Sequence, residues 1–102
     1  MEQWRAFMKK YYPEGDLADS FNVYGYTVGA TLAQVLKQCG NDLTRENVMR
    51  QAASMKGFRV DTLLPGITIT TGPEDYAPLE AVQLQRFNGR QWELFGDVMS
   101  SQ

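Results

Sequence analysis

From Phe21 to Cys39 the chain reads FNVYGYTVGATLAQVLKQC, its longest stretch with an unbroken helical pattern. Phe21, Tyr24, Val28, Leu32, Val35 and Cys39 recur at steps of three and four, so a single apolar stripe runs along one helix. That stripe marks the core helix. Gly25, Gly29 and Ala33 stack on another line of the same helix. Glycine inside a helix costs about 0.8–1 kcal/mol relative to alanine, so a helix or strand is expected to approach this row closely enough to offset the loss. A backbone left open for a ligand is the functional reading of the same row.

The flanking segments supply two more helices. Trp4, Phe7, Met8 and Tyr11 share one face of a helix over residues 3–12, which Pro13 stops. The turn-forming PEGDLADS follows, with Asp19 or Ser20 placed to cap the central helix over residues 20–39. Its acidic residues, Glu14, Asp16 and Asp19, read as a solvated loop, because calcium needs more oxygen ligands at tighter spacing. Gly40 suits the position after a helix C-terminus. Thr44 then caps a third helix over residues 45–56, with Leu43 stapled on Val48, with Val48, Met49, Ala52, Ala53 and Met55 buried, and with Gly57 as its end. Phe58 folds back over the last turn.

Beyond Gly57 the period changes from helical to two. Ile67-Thr68-Ile69-Thr70 alternates as a short strand after Pro65-Gly66, and TGPEDYAP crosses to the next element as a loop. Asn88-Gly89 between two alternating runs is a hairpin signal. A three-residue loop over 88–90 places Val82, Leu84, Trp92 and Leu94 on one face and Arg86 near Trp92, and is the expected register. A lone hairpin is marginal in water. Three amphipathic helices with so little sheet read as part of something larger.

Chemistry is narrowed mostly by what the chain lacks. Its 102 residues carry a net charge of -2 and include no histidine and one cysteine, Cys39. Lys9-Lys10 is the only adjacent basic pair, so a nucleic-acid footprint is excluded. Without histidine there is no Cys-His or Ser-His nucleophile and no ligand set for a transition metal. Cys39 reads as a small buried hydrophobe, and no disulfide can form within the chain. Glu74, Asp75, Glu80 and Asp97 form no recognisable acid-base set, so the chain is not expected to be an enzyme or to need a cofactor. No apolar run approaches the ~20 residues of a spanning helix, and MEQWRAFMKK lacks a signal-peptide layout.

Three stretches in order, NVYGYTVGATLAQVLKQCG, LTRENVMRQAASMKGF and LLPGITITTGPEDYAPLEAVQLQRFNGRQWELFGDV, carry a resemblance over nearly the whole chain. It resembles the extracytoplasmic solute-binding proteins of ABC transporters, in the branched-chain amino acid group. The resemblance implies an α/β fold, the C-terminal portion of a two-lobed type I periplasmic binding protein, which in isolation would be three helices, a short strand and a hairpin (α+β). Residues 1–76 would belong to one lobe, and 77–102 would form the last crossing and the hairpin returning to the other.

The implied ligand is an amino acid or similar small solute held between lobes, and the implied partners are the permease membrane subunits. The implied location is the periplasm, reached through a signal peptide upstream of these residues. Cleft-lining residues near the start of the central helix fall on Phe21, Asn22, Val23 or Tyr24, with Tyr24 and Phe21 first and Asn22 as a hydrogen-bond partner. The main carboxylate- and ammonium-binding groups lie in other segments, so this portion alone should bind amino acids weakly or not at all. The competing expectation is a stand-alone α+β interaction module whose exposed apolar faces bind a partner, dimerise or exchange elements between copies.

Overall fold

The first turn of α1, Glu2–Tyr11, has no side-chain cap of its own. Asp61 serves instead, its carboxylate accepting from the Trp4 amide at 3.2 Å and lying 3.0 Å from the Met1 ammonium. Trp4 and Met8 are the buried residues of this helix, and Phe7 meets Tyr26 of the next helix edge to face at 5.1 Å. The structure, a computed structural model, describes residues 1–101.

The second helix, α2, spans Ser20–Cys39 and is capped by Asp19, which accepts from the Phe21 amide at 2.9 Å. Gly40 closes it with a φ of 60°, which glycine adopts without a Cβ penalty. Thr44 caps α3, Arg45–Ala52, by accepting from the Asn47 amide, while Leu43 stays exposed instead of stapling the turn. This helix stops four residues short of the predicted Lys56. Thr71 explains the early end: its hydroxyl donates to the Ala52 carbonyl at 2.6 Å and accepts from the Met55 amide at 2.9 Å, so the chain is pulled out of the helix there. Met55 is buried as expected, whereas Met49 is exposed.

One core lies beneath α2 and α3, built from Val35, Cys39, Met55, Val60 and Ile69, with Tyr26, Ala30, Val48, Ala52, Phe58 and Leu63 packed around it. The predicted strand at 67–70 is absent. Ile69 makes a single antiparallel bridge with Phe58, through bonds of 3.0 and 2.8 Å, and the Thr70 amide turns away to the Pro78 carbonyl. The alternation selected Ile69 for the core but brought no second partner for its neighbours.

The chain ends in an antiparallel hairpin of β1, Ala81–Phe87, and β2, Trp92–Ser100. Its register differs from the expected one by one residue. The loop holds four residues, 88–91, because Asn88 Oδ1 accepts from the amides of both Arg90 and Gln91. Phe87 then faces Trp92 with rings 5.4 Å apart, Leu84 faces Phe95, and Arg86 lies opposite Glu93 over the Phe95 ring. An irregularity between Val82 and Leu84 interrupts the ladder near Gly96, whose φ is 70°.

These parts make a slab of 51 × 38 × 16 Å with a radius of gyration of 15.9 Å. A compact domain of this length has about 13 Å. The arrangement is a small α+β one: three helices and a two-stranded antiparallel sheet among the described residues.

Candidate functional site

Along α2 the expected stripe exists, but four of its members are not covered. Phe21, Tyr24, Val28 and Leu32 are 81, 69, 51 and 54% exposed, and only Val35 and Cys39 of the six are buried. Tyr24, Val28, Leu32 and Val35 form one wall of a groove of about 610 Å³, and Leu63, Ile69, Pro78 and Leu79 form the other. The core therefore lies beneath the groove floor, with the stripe as its rim. The stripe stays open because too little of the described chain packs against α2 to cover more than its C-terminal half.

The row of small residues also lies open. A Cβ built on Gly25 or Gly29 meets no heavy atom of the described residues within 4 Å, so the expected close neighbour is missing.

Within the groove the polar atoms are satisfied locally. The hydroxyls of Thr27 and Thr62 lie 2.6 Å apart, Thr27 also donates to the Val23 carbonyl, and Thr31 donates to the Thr27 carbonyl. No charged side chain lines it among the described residues. Such a surface binds by apolar burial, with hydroxyls as its polar groups.

Of the three residues predicted for a site, the groove takes in Tyr24 alone. Phe21 projects outside it, and the Asn22 amide donates to the Asp16 carbonyl at 2.9 Å, tying it to the preceding loop. Thr27, Thr31 and Thr62 were missed. The first two recur at a step of four on the Val23 face, one position round from the apolar stripe.

A second concavity of about 690 Å³ borders Met1, Arg59 and Asp61. Asp61 Oδ1 is buried there without a hydrogen-bond partner, as is the Trp4 Nε1 group of α1. Burial pushes the Asp61 carboxyl up, but the Met1 ammonium and the Trp4 and Gln3 amides outweigh it and hold the group below its ordinary value. Asp16 and Asp19 of the 13–19 loop act as turn formers, Asp16 accepting from the Ala18 amide and Asp19 from that of Phe21. Among the described residues no cluster of three histidine, cysteine or acidic side chains could hold a metal, and no helix is long and apolar enough to cross a membrane.

Comparison with protein-family models, with curated proteins and with solved structures finds no match.

Proposed function

We propose that this chain is the C-terminal part of an extracytoplasmic solute-binding protein of an ABC transporter, of the branched-chain amino acid type. The observation that carries the proposal is the surface of α2. From Ser20 to Leu36 the helix has no charged residue, yet Phe21, Tyr24, Val28, Leu32 and Leu36 are exposed. A helix without a charged face belongs inside a larger body. The hairpin points the same way, since every residue of β2 is exposed, Trp92, Leu94 and Phe95 included.

In this reading the rest of a two-lobed type I fold covers the slab, and the solute sits between the lobes. Contacts to both lobes favour the closed state, which the membrane subunits read. Tyr24, at the mouth of the groove near the start of α2, is the first residue assigned to the cleft, with Phe21 and Asn22 beside it. In this reading the intact protein binds and positions a solute, and these residues alone do not hold one.

The test uses an antibody raised against these residues on fractionated source cells. A periplasmic band several times larger than 11.6 kDa is expected. A cytoplasmic band at 11.6 kDa would sink the proposal and leave the second reading, a stand-alone interaction or dimerisation module. The uncovered edge and faces of β2 favour that reading, because an exposed apolar strand is a template for pairing.

A further inference from the structure

We draw no further inference here: the strongest candidate, the charge-free groove between α2 and the Leu63, Pro78 and Leu79 wall, is an unpartnered apolar face and nothing in the structure shows what covers it.

Discussion

Asn47 is the one buried polar residue of the chain's described part, 6% exposed, and it ties the α2–α3 corner together. Its amide donates to the Asp42 carbonyl at 2.8 Å and reaches the Cys39 carbonyl at 3.5 Å, while its oxygen accepts from Arg50 and Gln51. Asn47→Leu keeps the branched outline, with more bulk, but strands those partners, so a loss of about 1–3 kcal/mol is expected in urea unfolding. A neutral result would show that water replaces the side chain. Asp61 gives a prediction in pH. Its folded-state pKa lies below the unfolded one, so its contribution is present above the unfolded value and is lost as pH falls through the folded value. Thermal melts of the isolated chain, where the Met1 ammonium faces Asp61, should therefore show a shallower acid decline for Asp61→Asn than for the parent from neutral to acid pH, from a lower starting point. Equal acid slopes would mean that the clasp on α1 does not hold in solution.

At the scale of elements, the open row on α2 sets the sign of a substitution. Gly29 is helical with free space around it, so Gly29→Ala should stabilise the isolated chain by about 0.5–1 kcal/mol through the lost conformational freedom of glycine. The close neighbour expected from the sequence would instead turn added bulk on this row into a loss, and urea titration of the variant separates the two. The hairpin makes few contacts outside itself, so its amides should exchange with deuterium well before those of α2 near Val35. Comparable protection would reveal a cover on β2. What was legible in the sequence were local events: the three helices, the caps Asp19 and Thr44, the stop before Pro13 and the hairpin. What was not legible depended on residues distant in sequence or on side chains overriding a pattern. Thr71 cuts α3 short from 19 residues away, Asn88 widens the hairpin loop, and a periodic stripe cannot announce whether anything lies on top of it. For the same reason Thr62, 35 residues beyond Thr27, was not legible as its groove partner.

For the whole molecule, apolar area left in water is the dominant fact. Phe21, Tyr24, Trp92 and Leu94 are each at least 48% exposed. Patches of this kind associate. Sedimentation of the isolated chain should show weight-average mass rising with concentration, with a hydrophobic dye bound at the lowest concentrations; a dye-silent monomer throughout would remove the premise of a missing cover. Calorimetry with leucine on the same material should give no saturable binding, since among the described residues the groove has no charged group for an ammonium or a carboxylate. The clasp at Asp61 carries one more consequence, which concerns time. The partners of Asn47 lie within eight residues of it, so the α2–α3 corner can close as soon as it is made, whereas the carboxylate that caps α1 lies 57 residues after Trp4. Loop closure over that distance comes late. The first turn of α1 thus stays without its cap until residue 61 has left the ribosome, long after the helix itself has been made.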